Sequence, residues 1–293
     1  MKLRMTIMIL VMFALSACAT NEVTPTPQAN SETGYKSFLD RPQSPAFHQA
    51  LMVFSAEDYT NAIAMFDLLA RAGDKKANMM LGMMYYQGQG VGQDFNKAKD
   101  NFLVSANAGI AEAQGMIGSM YAEAKGFRQN YVKAARWYGR AAEQGFAPAQ
   151  SILGQMYGAG QGVSLDYGKA RYWLRKAANQ GDSDAQFHLG LFYHYGEGVS
   201  VNSEQAVSWY KSAAKQGHAK AQANLAAMYN DGKGVRQDRV RAFMWLLIAT
   251  TNGAPIPSAV MTQYQNTLAQ DGKKLEIATI MAQNCLKSGY ETC

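Results

Sequence analysis

The chain has 293 residues, 48% of them hydrophobic, and a formal net charge of +6. That apolar content is enough for a sizeable core and excludes a wholly disordered protein. The basic excess is small and spread along the chain without a basic run, so it marks no nucleic-acid face.

At the N-terminus, Lys2 and Arg4 precede an apolar run from Met5 to Leu15, and small residues lead on to Cys18. This is the pattern of a secretory signal: too short for a spanning helix and bounded by a cleavage site. Leu15-Ser16-Ala17-Cys18 resembles the bacterial lipobox, in which the cysteine is lipidated and becomes the first mature residue. The resemblance implies that residues 1–17 are a leader and Cys18 a lipid anchor. Loss of Lys2 and Arg4 would lower the basic count from 28 to 26 against 22 acidic residues, a net +4. Ala19 stands where an aspartate would favour retention at the inner membrane. The implied location is therefore the periplasmic face of the outer membrane of a Gram-negative bacterium. Residues 18–44 are dominated by Thr, Pro, Asn, Gln and Ser without helical or strand period, which predicts a disordered tether. Coil dimensions give it a reach of roughly 25–30 Å.

From there the text repeats. Gly73, Gly109, Gly145, Gly181, Gly217 and Gly253 are spaced by 36 residues, and Ala77, Tyr85 and their equivalents keep the step. So do all four tryptophans: Trp137, Trp173, Trp209 and Trp245. A period of this length predicts an all-α, right-handed α/α solenoid of helix–loop–helix repeats. In each repeat the first helix carries an apolar stripe, as at Ala149, Leu153, Met156 and Tyr157, with a mid-helix glycine (Gly82, Gly118, Gly154, Gly190) that suggests a close helix approach. Gly-x-Gly-Val follows at Gly88, Gly160, Gly196 and Gly232, read as a glycine C-cap, a turn and a valine returning to the core rather than a phosphate loop. The second repeat departs, with Ala124 and Phe127 replacing the first glycine and the valine. Asp94, Asn130, Asp166, Asn202 and Asp238 suit the N-cap of the second helix, where bulky Trp beside small Ala is expected to interlock neighbouring repeats.

Ala-x-x-x-Leu-Gly-x-x-Tyr, Gly-x-Gly-Val, Lys-Ala, Trp-Tyr and Ala-Ala-x-Gln-Gly together resemble the Sel-one-like repeat, a relative of the tetratricopeptide repeat. The match runs from Gly73 to Gly253. It implies a solenoid over residues 45–253, with an atypical first helix pair, that acts as an adaptor or assembly scaffold for a protein or peptide partner in the cell envelope. Pro255 and Pro257 break the register. Helical patterns over roughly Pro257 to Ala269 and Lys273 to Lys287 predict a C-terminal cap within residues 254–293.

Cys285 and Cys293 remain as an even pair in an exported chain, which points to a disulfide. No catalytic set, metal site or cofactor motif emerges. Ser208-x-x-Lys211 and Ser212-x-x-Lys215 match a motif of penicillin-interacting serine enzymes, and the alternative function is a penicillin-interacting or amidase-like enzyme of the cysteine-rich repeat type, yet the companion motifs are missing. His188 and His194 are six apart, on different sides of a helix, and so unsuited to sharing a metal. A binding surface is left. The expected slots lie on first helices: Met79, Met83 and Tyr86 in the first repeat; Phe187, His188, Leu191, His194 and Tyr195 in the fourth; Asn224, Asn230 and Asp231 in the fifth. Aromatic rings and methionines beside polar groups suit adaptable protein recognition.

Overall fold

Asp and Asn at the start of each second helix, and glycine at the end of most first helices, punctuate the chain into short helices of similar length. The computed structural model describes residues 44–269 and 272–293; the expected leader (1–17), Cys18 and all of the expected tether but Ser44 lie outside them. Among the described residues there are fourteen helices and no strand.

Helices α1 (Pro45–Ser55) and α2 (Tyr59–Arg71) form the atypical opening pair. Five repeats follow: α3 (Lys75–Gln87) and α4 (Phe95–Asn107), α5 (Ala111–Ala122) and α6 (Tyr131–Glu143), α7 (Ala147–Ala159) and α8 (Tyr167–Ala178), α9 (Ser183–Tyr195) and α10 (Ser203–Ala214), α11 (Ala219–Asp231) and α12 (Arg239–Thr251). Helices α13 (Ser258–Ala269) and α14 (Gly272–Lys287) end the chain. The described residues fall into two compact units, one running through Ala177 and the other from Ala178 to Cys293. Phe47, Phe66, Phe102, Ile117 and Tyr138 are among the buried side chains of the first. Tyr210, Leu225, Phe243 and Ile248 centre the second, where Ala278, Ala282 and Cys285 of α14 join the core.

Local signals act as their chemistry dictates. Asp94, Asn130, Asp166, Asn202 and Asp238 each accept a hydrogen bond from the backbone N–H three residues on, at 2.9–3.0 Å. Gly88, Gly160, Gly196 and Gly232 close their helices in the left-handed region. Ala124, in the departing second repeat, is forced into the same region at φ 59°. The second glycine of the loop has a different task. A Cβ on Gly162 would lie 2.8 Å from Tyr131 Cβ and closer still to the Tyr131 carbonyl, and Gly90 meets Tyr59 in the same way. At Gly90, Gly126, Gly162 and Gly234 this glycine seats the loop against the first turn of the preceding second helix.

The mid-helix glycines do mark a close approach, made by a side chain of the second helix in the same repeat. A Cβ on Gly82, Gly118 or Gly190 would meet the ring of Phe102, Tyr138 or Tyr210 at 2.5–2.9 Å, and one on Gly154 would meet Leu174 at 2.7 Å. These partners are fully buried or nearly so. They follow the tryptophan slot by one residue. Trp137, Trp173 and Trp209 themselves are only half-buried, and Trp245 alone is in the core. The close packing of the two helices within a repeat therefore belongs to the residue after the tryptophan slot.

A second periodic device is a ladder of buried glutamines. Gln114, Gln150, Gln186 and Gln222 each donate from Nε2 to a carbonyl eight residues back (Ala106, Ala142, Ala178 and Ala214), at the end of the preceding second helix. The carbonyl oxygens of Gln114, Gln186 and Gln222 accept from Gln144, Gln216 and Asn252 at 2.8–2.9 Å. Helix-terminal carbonyls that would otherwise be buried without partners are thus satisfied. At the chain's end Asn252 Nδ2 also donates to the Tyr290 hydroxyl (2.8 Å). Tyr290 lies within the loop closed by a Cys285–Cys293 disulfide, whose Cα atoms are 5.2 Å apart.

Candidate functional site

Helix α9 presents the densest group of the anticipated binding residues. Asp182 caps its start and Gly196 its end. The structure separates those residues into layers. Phe187 is only 5% exposed; its ring stacks on His218 (centroids 4.6 Å apart) and leans on Tyr210 (6.1 Å). Asn224, 3% exposed, lies against Tyr210. Neither is available on an open surface. The reason is geometric: Tyr210 of α10 and His218 at the start of α11 cover slots off the main apolar stripe of α9.

Around Phe187 the polar groups are ordered by one another. His218 caps α11 by accepting from the Ala221 N–H at Nδ1 (3.1 Å), so its proton sits on Nε2 and is donated to Asp184 Oδ1 at 3.1 Å. That bond holds the Asp184 carboxyl below its usual range. His188 is pushed down to about 4, mainly by burial and further by His218 and Lys220, against the opposing pull of Asp184. It is therefore neutral at pH 7.

The surface layer is made by His194, Tyr195 and the end of α11. The Tyr210 hydroxyl lies 3.2 Å from His194 Nδ1. Burial holds the Tyr210 phenol protonated. The pKa of His194 is lowered by burial and by Lys233, with Asp231 opposing. Its ring is stacked under Tyr195, centroids 4.7 Å apart and planes 14° from parallel. Tyr195 itself is 49% exposed. Leu191 is half-buried against the core. Asn230 donates to Asp231 Oδ1 (3.1 Å), and Asp231 pairs with Lys233 at 3.3 Å. A titration of both histidines near pH 6.5, the simplest sequence-based expectation, is thus displaced to lower pH.

The methionine end of the prediction lies in the other compact unit and is a separate cluster. Met79 is core, 1% exposed, while Met83 is half-buried. Tyr86 takes part in an arrangement that sequence reasoning missed. Lys125 Nζ bonds the Tyr86 hydroxyl (2.9 Å) and Glu123 Oε2 (2.6 Å), and Ser119 donates to Glu123 Oε1 at 2.5 Å. The signal available was the irregular loop of the second repeat, which supplies both Glu123 and Lys125.

The serine-enzyme motif finds little support in geometry. Ser212 Oγ donates back to the Ser208 carbonyl of its own helix (3.2 Å), and Lys211 Nζ lies over the Tyr229 ring at 5.5 Å. Among the described residues, no three His, Cys, Asp or Glu side chains are grouped as a metal site. No helix among them is long and apolar enough to cross a membrane.

Comparison with known proteins agrees with the repeat boundaries. Sel1 repeats are recognised at residues 75–110, 111–146, 147–182, 183–218 and 219–253. Among solved structures the chain is similar to a Sel1 repeat protein from Oxalobacter formigenes: 32% identity and a TM-score of 0.65, covering 70% of this chain and 84% of that one. It is also similar to c5321, a protective antigen of uropathogenic Escherichia coli with an SLR fold, at 27% identity and a TM-score of 0.56. That likeness covers 84% of this chain and 62% of the antigen, so the chain spans less than two thirds of it. A search of curated proteins found no match. The five consecutive matches, laid on five structurally equivalent helix pairs, place this chain in the Sel1 repeat family.

Proposed function

We propose that this protein is a lipid-anchored scaffold that binds a protein or peptide partner through the exposed layer of α9 and α11. Sel1 repeat proteins generally mediate protein–protein interactions, and repeat scaffolds of this kind are typically non-enzymatic. The observation that carries the reading is Tyr195: a half-exposed ring held in place by stacking on His194, which is itself fixed by the buried Tyr210 hydroxyl. A rigid aromatic side chain stacked on His194, itself within electrostatic reach of Asp231, loses little entropy on binding, as interface hot spots require.

A photo-crosslinking residue at position 195 identifies the partner, and affinity is then measured on purified components. Tyr195→Ala should weaken binding by about 1–3 kcal/mol, the usual hot-spot range, with the melting temperature unchanged. Unchanged affinity would move the site elsewhere. Equal losses of affinity and melting temperature would make Tyr195 a structural residue.

The anchor rests on the lipobox-like Leu15-Ser16-Ala17-Cys18, with Ala19 favouring the outer membrane and exposure to the periplasm. Cys18→Ser should release a folded, soluble periplasmic protein. Continued fractionation of the Cys18→Ser chain with the outer membrane would mean that something other than lipid holds it there.

A further inference from the structure

The solvent-facing sides of α6 and α8 differ from those of the other second helices. Arg136 and Arg140 are exposed on α6, and Arg175 and Lys176 on α8, with Lys133 and Lys169 at the helix starts. Lys133 and Lys169 share a repeat slot, as do Arg140 and Lys176. Helix α8 contains no acidic residue, and α6 only Glu143. Asp166, just ahead of α8, pairs with Lys169 at 3.6 Å. The slots of Arg136 and Arg140 hold Asp100 and Val104 on α4, and Ser208 and Ser212 on α10. Positive charge is therefore gathered on two successive second helices of one compact unit. No run appears in the sequence because its members are separated by helical turns and by a full repeat.

Apolar groups are interleaved with that charge. Arg140 lies 4.4 Å over the Trp137 ring, and Lys176 lies over both Tyr172 (4.7 Å) and Trp173 (5.2 Å). Tyr172, Val132 and Leu165 are each about half exposed. Cations on long stems, amphipathic rings and exposed aliphatic side chains suit the headgroup region of a bilayer, where charge meets phosphate and rings sit at the interface. The aliphatic groups would have no partner on a phosphodiester backbone.

We propose that the α6–α8 face docks peripherally on an anionic phospholipid surface. The proposal stands whether or not Cys18 carries lipid. It is tested with the full chain carrying Cys18→Ser, so that no acyl group contributes, by co-sedimentation with phosphatidylcholine vesicles with and without phosphatidylglycerol. Binding should require the anionic lipid and weaken as salt is raised. Each basic residue near such a surface contributes roughly a fivefold gain in affinity, so Arg136→Gln/Arg140→Gln/Lys176→Gln should lose about a hundredfold. Lys215→Gln/Lys220→Gln/Arg236→Gln, three exposed charges elsewhere, should lose far less. If the triple variant melts early, Arg136→Gln alone should still lose roughly fivefold. Equal binding to neutral vesicles, or equal loss in both triple variants, would overturn the proposal. So would tighter binding of polyglutamate or a single-stranded oligonucleotide than of vesicles, since the face would then serve another polyanion.

Discussion

Gly162→Ala is expected to destabilise its compact unit far more than Gly145→Ala, although both glycines have positive φ (70° and 92°). An alanine in the left-handed region costs about 1–2 kcal/mol wherever it sits. At Gly145 nothing lies within 4 Å of the new methyl group, so that cost stands alone. At Gly162 the methyl would collide with the Tyr131 backbone, which is held in the first turn of α6 and has no rotamer by which to escape. Overpacking of this kind adds typically 1–3 kcal/mol, giving about 2–5 kcal/mol in all. Urea unfolding read alongside hydrogen exchange of α6 distinguishes the outcomes, and equal effects at the two sites would show that the loop does not press on the preceding helix.

The second large effect is expected at Phe187. Truncating a buried phenylalanine costs about 3–5 kcal/mol, because the cavity it leaves collapses only in part. Here the lost ring also supports His218, whose Nδ1 caps α11 and whose Nε2 holds Asp184. Phe187→Ala should therefore lower the melting temperature by many degrees. Tyr195→Ala, one residue past two helical turns away on the same helix, should change stability within about 0.5 kcal/mol. A stable Phe187→Ala protein would contradict the layering of α9 into a core side and a surface side.

Much of this was legible in the sequence because the fold is periodic. A 36-residue step, a capping Asp or Asn and a left-handed glycine are each local signals, and every one recurs in several repeats. What stayed hidden depends on neighbours. The amphipathic stripe of an isolated helix has two sides, but residues 111–120 of α5 are all buried because flanking helices cover both. For the same reason Met79, Phe187 and Asn224 look like surface slots on a helical wheel and belong to the core. The tryptophans drew attention by size, yet the side chain that meets each mid-helix glycine is the next residue. Gln114, Gln150, Gln186 and Gln222 keep the 36-residue step in four of the five repeats, with Asn78 in the first. Their role is invisible until the carbonyl eight residues back is seen to point at them.

The glutamine ladder also bears on how a chain of this kind can grow or shorten. Each rung joins a first helix only to the end of the helix before it and to the residue closing its own repeat, so a rung makes no demand on distant positions. A 36-residue segment can then be duplicated or excised as a cassette, provided the cut falls at the same phase in both copies. The exception is the last rung, where Asn252 hands its hydrogen bond to Tyr290 inside the disulfide-closed loop. Length variation is thus permitted before this terminus, while the terminator itself must travel as one piece from Asn252 to Cys293.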